Sequence, residues 1–395
     1  MCGCVGEFRP YVFSIKHLLR LCTPCICNAV ECPMATPGNR AVYLDFIRFI
    51  AIPLVIFNHT NDWGFTRFSI AEGGLNYTLW LFASIACKVN VPLFFMVSGA
   101  VLLGKDELYR RVLTKRVLRF ALVLAAFTLL QFYIRSLQTG MPMNLRFTLL
   151  QFLEGRGTVT QLEWVTTFWF LYAYLAMLLF LPFMRILATN MRRQHVLLLV
   201  ILCLVLEGLF PILLCLLNHG QFVKPDILKY TSFLSWWILY PLLGYYFAHC
   251  VDPARWTQRR MWSFGAVAVA AIAVTMFITR YHLAVEPSVE EAMVQVFHNC
   301  LVILPTCFLF LLCRKTMAGM RSDAFPGRLF IYLGGLSFCV MLLEENARAI
   351  MRECFFPHLE LTGALRCLVY VVGAYLMAAA AGAILKLIPG VKKLV

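Results

Sequence analysis

Apolar runs of about twenty residues recur along the chain, and a run of that length is what a helix needs to cross a bilayer core about 30 Å thick. Ten such runs lie near residues 43–62, 77–103, 117–137, 164–187, 195–217, 232–250, 261–280, 293–313, 329–350 and 363–388. Inside hydrocarbon each backbone N–H and C=O must find its partner within the same segment, so the runs are expected to be helices. Composition agrees: 61% of residues are hydrophobic, 14% are charged, and the mean hydropathy is +0.77. The expected fold is all-α, a polytopic integral membrane protein of about ten transmembrane helices, with residues 41–395 forming one domain.

A net charge of +15 would suggest a nucleic-acid partner in a soluble protein. Here the placement of the charges argues for membrane lipids instead. Twenty-two of the 35 Lys and Arg residues fall before the first run or at and beyond the ends of the second, fourth, sixth, eighth and tenth. Ten fall in the alternate loops and run ends, and Arg48, Lys88 and Arg119 lie within runs. By the positive-inside rule the first set faces the cytoplasm of a plasma or inner membrane. Both termini are then expected inside, which requires an even number of spans.

Residues 1–40 are expected to be an unstructured, Cys-rich extension. Six cysteines cluster there, at positions 2, 4, 22, 25, 27 and 32. Cys22-x2-Cys25-x-Cys27 lacks a second CxxC or a His at finger spacing, so no metal site is expected. No apolar core with a small-residue cleavage site follows, so the stretch is not read as a secretory signal. Translation from Met34 would give a compact start just before the first run. Cys203, Cys215, Cys300, Cys307 and Cys339, inside apolar runs, are read as small buried apolar residues.

The first run, YLDFIRFIAIPLVIFNHT (43–60), carries Asp45, Arg48 and His59. Arg or Asp at a membrane centre costs about 2.5–3.5 kcal/mol on insertion scales, so such residues mark function. Arg48 and His59 are eleven positions apart, which returns to within about 20° of one helix face with a rise of about 16.5 Å. Asp45, one turn before Arg48, can pair with it. A neutral imidazole at position 59 can accept a hydroxyl proton, or it can merely hydrogen-bond a neighbouring helix. Asn58 flanks it.

Further polar positions are weaker signals. In the second run, Asn90 and Lys88 either snorkel or line a cavity, and Ser98-Gly99 suits close helix packing. The segment YRRVLTKRVLRF (109–120) sets Arg116 and Arg119 one turn apart with Lys115 beside them. That group suits phosphate oxygens, or alternatively anchors the helix at anionic headgroups. Trp169, Tyr172 and Tyr174 open the fourth run and fit an interfacial belt. Glu207, His298, Asn299 and the pair Glu344-Glu345 complete the set, and at least one of the pair should face the interior.

Together these stretches resemble membrane acyltransferase family 3, integral-membrane O-acyltransferases that modify cell-surface glycans. LDFIRFIAIPLVIFNH resembles the family's opening signature, an LDxxR start with a His eleven residues after the Arg. VPLFFMVSGAVLL resembles its second block, Arg116-x-x-Arg119 its RxxR element, and WFLYAYLAMLLFLPF its WFL block. The matches cover about residues 43–183, in the stand-alone form without an esterase-like domain. Two departures stand out: Phe168 where a His often precedes the WFL block, and Glu344 at the His position of the late block.

The resemblance implies an O-acetyltransferase that moves an acyl group, expected to be acetyl, from acyl-CoA to a hydroxyl of a cell-surface or lipid-linked polysaccharide. No bound cofactor is implied; acetyl-CoA is a donor substrate. Lys115, Arg116 and Arg119 would hold its phosphates, His59 would be the general base, and Arg48, held by Asp45, would position the donor. Asn58, Asn90, Ser98, Trp169 and Glu344 are candidates for the polar lining of the cavity. Two rivals remain at this point: a transporter whose polar stripe lines a permeation path, and a structural partner of a synthase complex.

Overall fold

A computed structural model describes residues 41–140, 168–221, 234–252, 256–286 and 299–393. Residues 1–40 and His298 lie outside the described residues. Each of the ten apolar runs contains a helix, and among the described residues there are no strands. In chain order the helices are α1 (Val42–Asn58), α2 (Gly74–Leu102, with a 3-10 turn at Cys87–Val89), α3 (Tyr109–Ile134), α4 (Trp169–Asn190) and α5 (Arg193–Leu217). They continue as α6 (Trp236–Tyr245), α7 (Gln258–Val285), α8 (Ile303–Thr316), α9 (Phe325–Ile350) and α10 (Gly363–Leu385). The chain is an all-α polytopic membrane protein.

Seven of the described helices are long and apolar enough to cross a bilayer. The others are α1, with 17 residues, α6, with 10, and α8, with 14. Physical position accounts for the short α1 and α6. Ile47, Ala51, Ile52 and Ile56 of α1 are fully buried, and α6 is buried from Leu239 to Gly244. A helix walled by protein need not match the thickness of the lipid. α2 is likewise central, with 78% of its most apolar window buried, against 22% for α3 and 28% for α5. The peripheral helices turn Leu118, Leu122, Leu197 and Leu213 outward, which in a bilayer is the lipid-facing side.

The charged helix is thus the inner one. α1 packs against α2, α8, α9 and α10. Small residues set the closest approaches. Gly99 of α2 lies on the backbone of Pro241 in α6, and Gly244 of α6 lies reciprocally on that of Met96. Gly334 of α9 lies on Asp45, where an added Cβ would come within 2.7 Å of the Asp45 Cβ. These are contacts that any side chain would force apart.

α1 ends sooner than the apolar run does. His59 leaves helical geometry (φ −102°, ψ 16°), and Asn61 takes a left-handed φ of 46°. Thr60 fixes the turn: its hydroxyl donates to the Phe57 carbonyl (2.7 Å) and accepts from the Phe65 N–H (2.8 Å). Asn tolerates the left-handed region better than most residues, so Thr60-Asn61 stops the helix there. His59 is therefore the C-cap residue, not an interior one.

Candidate functional site

Two polar centres occupy the two ends of α1. At the first, Asp45 is buried and its Oδ1 pairs with Arg48 Nη1 at 2.7 Å, while the Arg48 side chain is 26% exposed into a cavity. That cavity, about 330 Å³, lies between α1, α2, α3, α4 and α9. Arg48, Lys115, Arg116 and Arg119 line it, together with Ser98, Ser337, Tyr174 and Gly335. The apolar walls are Phe94, Phe120, Phe170, Leu178, Phe338 and Met341. Four cations thus face one partly apolar space, the environment a polyanion with a less polar arm requires.

The basic segment is helical: Lys115, Arg116 and Arg119 belong to the first turns of α3, the first two in a π-helical turn over Leu113–Val117. Arg116 is held by Glu107 through two bonds, Nε to Oε2 at 3.0 Å and Nη2 to Oε1 at 2.6 Å. Arg185 of α4 joins from the other side, donating to Glu107 Oε2 (3.0 Å) and to the last carbonyl of α2, Leu102 (3.1 Å). The hydrogen bonds from Arg116, with those from Arg185, hold the Glu107 carboxyl down at about 2, well below its ordinary 4.5. Glu107 and Arg185 carry no sequence signal of their own, because Glu107 pairs across nine positions and Arg185 across seventy-eight.

The second centre surrounds His59. Its Nδ1 lies 3.2 Å from Oε1 of Glu344 in α9, within ion-pair distance, and among the described residues neither buried atom has a well-aligned hydrogen-bond partner. The Glu344 side chain is 1% exposed and that of His59 20%. Arg348, one turn on, donates from Nε to Glu344 Oε2 (2.6 Å), from Nη1 to the backbone carbonyl of His59 (3.0 Å), and from Nη2 to Glu345. The i,i+4 spacing of Glu344 and Arg348 is visible in the sequence; their meeting with His59, from a helix nearly three hundred residues away, is not.

The two centres are separate in this structure. On the face between Arg48 and His59, Ile52 and Val55 are buried. Met341, the last residue of α9 to line the cavity, lies three residues, about 4.5 Å of rise, before Glu344. The remaining positions fall elsewhere. Ser98 lines the cavity and donates to the Phe94 carbonyl at 2.8 Å. Asn90 does not line it: buried, it bridges α2 to α1 through the Leu54 carbonyl (3.2 Å). Asn58 is half-buried and lies 4.0 Å from the Cys87 thiol. Trp169 stands 47% exposed beside Trp236, outside the cavity. Phe170 and Tyr174, in the same aromatic stretch, do line it.

The chain is thus a helical membrane protein with a cationic, aromatic-walled cavity at one end of a buried helix and a His–carboxylate pair at the other. The family model described as an acyltransferase domain matches residues 41–385, nearly the whole described chain, and the protein belongs to that family, membrane acyltransferase family 3. No curated protein and no solved structure matches the chain.

Proposed function

We propose that the protein transfers an acyl group, acetyl in the simplest case, from acyl-CoA to a hydroxyl of a cell-surface or lipid-linked polysaccharide. The observation that carries this reading is the layout of α1. Its Arg48 end opens on a cavity with three further cations, and its His59 end holds a buried carboxylate against an imidazole. The donor's phosphates would bind Lys115, Arg116 and Arg119, where guanidinium forks can take phosphate oxygens in pairs. The pantetheine arm would follow the apolar cavity past Arg48, and Met341 would have to swing aside for the thioester to reach His59. The distance along α1 from Arg48 to His59, about 16.5 Å, suits such an arm.

At the far end, Glu344 accepts the Nδ1 proton of His59 in this reading, which leaves Nε2 as the basic nitrogen. Nε2 takes the acceptor's hydroxyl proton as its oxygen attacks the thioester carbonyl. The C–S bond then breaks, the acyl group stays on the acceptor oxygen as an ester, and the thiolate takes the proton back from Nε2 and leaves as CoA-SH. The imidazolium formed in the transition state meets two favourable fields: the Glu344 carboxylate and the C-terminal end of α1. Arg48 would hold the donor in place, with Asp45 fixing its guanidinium.

The test is turnover of acetyl-CoA by purified protein in lipid nanodiscs supplied with envelope glycan, alongside mass spectrometry of surface glycans from cells lacking the protein. Ester-linked acetyl groups that disappear with the gene and return with the wild-type chain are expected. Unchanged glycan acylation would reject this acceptor class.

A further inference from the structure

Arg348 lies outside the cavity and outside the stretches that resemble the family signature, yet its guanidinium is committed wholly to the His59 centre. We propose that Arg348 is the positioning residue of the His59–Glu344 pair, an inference that rests on His59 acting as the base. Three observations carry it. First, the two oxygens of Glu344 are divided: Oε2 takes Arg348 Nε at 2.6 Å, and Oε1 faces His59 Nδ1 at 3.2 Å. The guanidinium thereby fixes the plane of the carboxylate and aims its second oxygen at the imidazole.

Second, Arg348 Nη1 donates to the backbone carbonyl of His59 itself, at 3.0 Å. That carbonyl sits at the C-terminus of α1, where carbonyls lack helical partners. One side chain thus holds both the residue that bears the imidazole and the carboxylate that orients it. Its third nitrogen ties Glu345, and Tyr370 of α10 donates to the Arg348 carbonyl at 3.3 Å, fixing the clip from behind.

Third, the charges suit the reaction. Arg348 offsets the carboxylate of Glu344 at 2.6 Å, in a site where Arg348 is 8% exposed and screening is weak. Without Arg348 two carboxylates would share the site, and Glu344 would be free to turn away from the ring. A purely structural ion pair between α9 and α1 would not need to divide Glu344 between a guanidinium and an imidazole.

The experiment uses the full chain in nanodiscs with acetyl-CoA and envelope glycan, comparing wild type, Arg348→Gln, Arg348→Lys, His59→Ala and the double variant His59→Ala/Arg348→Gln. Arg348→Gln is expected to lower kcat about ten- to a hundredfold, the effect of losing a charge-assisted contact, with the KM for acetyl-CoA unchanged. Arg348→Lys keeps the charge without the fork and is expected to lie between Gln and wild type. In the His59→Ala background, Arg348→Gln should cost nothing more, because it acts through the missing ring. Wild-type kcat in Arg348→Gln, or a full further loss in the double variant, would overturn the proposal. Should Arg348→Gln not yield monodisperse protein, Arg348→Lys decides alone: lower kcat at unchanged KM supports the role, and unchanged kcat rejects it. His59→Ala with normal turnover would remove the functional reading itself; an inactive His59→Ala beside an active Arg348→Gln would remove only this inference.

Discussion

His59 owes its setting to the early end of α1. One residue further into a continuing helix, its carbonyl would be bonded within the helix and closed to Arg348. As C-cap it keeps a carbonyl for the clip and a side chain that is 20% exposed, beside a carboxylate that is 1% exposed. His59→Ala is expected to lower turnover about 10²–10⁴-fold at saturating donor, the range for a lost general base, while acetyl-CoA binding stays intact. Glu344→Gln should fall in the same direction by less, since the amide keeps the shape but offers a weaker acceptor. At the other end, Arg119→Ala should weaken acetyl-CoA binding about ten- to a hundredfold, and Arg110→Ala, exposed and outside the cavity, far less. Equal small effects at both positions in a binding titration would favour the lipid-anchor role for the whole basic segment. At this scale the Asp45–Arg48 pair is legible in the sequence because it is local, three positions apart. The Glu344–His59 pair is not, because only tertiary packing brings α9 to the end of α1.

Among the elements, the loop between α2 and α3 couples structure to pH. Glu107 bridges Arg116 and Arg185, and its carboxyl titrates near 2 rather than 4.5. A group whose native pKa is depressed contributes stability that is complete above its unfolded value and lost as pH falls toward the native one. The contribution of Glu107 is thus full above about pH 4.5 and disappears between there and about pH 2. Thermal unfolding in detergent should show Glu107→Gln less stable than wild type at pH 7, with the difference shrinking below pH 4.5. A difference that stays constant down to pH 3 would contradict this. On α9, Met341 is the lining residue of the cavity nearest in sequence to Glu344. Met341→Trp is expected to retain acetyl-CoA phosphate contacts while blocking transfer; normal transfer in that variant would mean the acyl arm takes another path. The existence of these helices was legible, since each apolar run contains one. Their ends were less so: α3 starts at Tyr109 because the basic residues themselves are helical, and α1 stops at Asn58 because Thr60 captures the Phe57 carbonyl. Periodicity reports the apolar face of a helix but not which polar side chain will compete for its last carbonyls.

For the whole molecule, the asymmetry of twenty-two basic residues against ten leads us to propose that the Arg48–Arg119 end faces the cytoplasm, where CoA is made available, and the His59 end the outside. The direction of the proposed reaction depends on that assignment. Reversed, the cationic cavity would face a compartment without CoA, and the same residues would have no donor. Two exposed positions mark the two ends. Asp106 lies in the loop between α2 and α3 beside the basic segment, and the native thiol of Cys354 is exposed in the π-turn after α9, beyond Arg348. In intact cells a membrane-impermeant maleimide should label the wild-type protein at Cys354, and Cys354→Ser should abolish that signal. Asp106→Cys in the Cys354→Ser background should stay unlabelled until the membrane is opened by detergent or by inversion. The remaining cysteines of the described helices are buried or half-buried, and replacing the six cysteines at positions 2–32 by Ser in both variants keeps them from obscuring the comparison. Labelling of Asp106→Cys in intact cells, with Cys354 protected, would invert the molecule. The donor would then have to enter at the His59 end, and the roles proposed for Lys115, Arg116 and Arg119 would have to be abandoned.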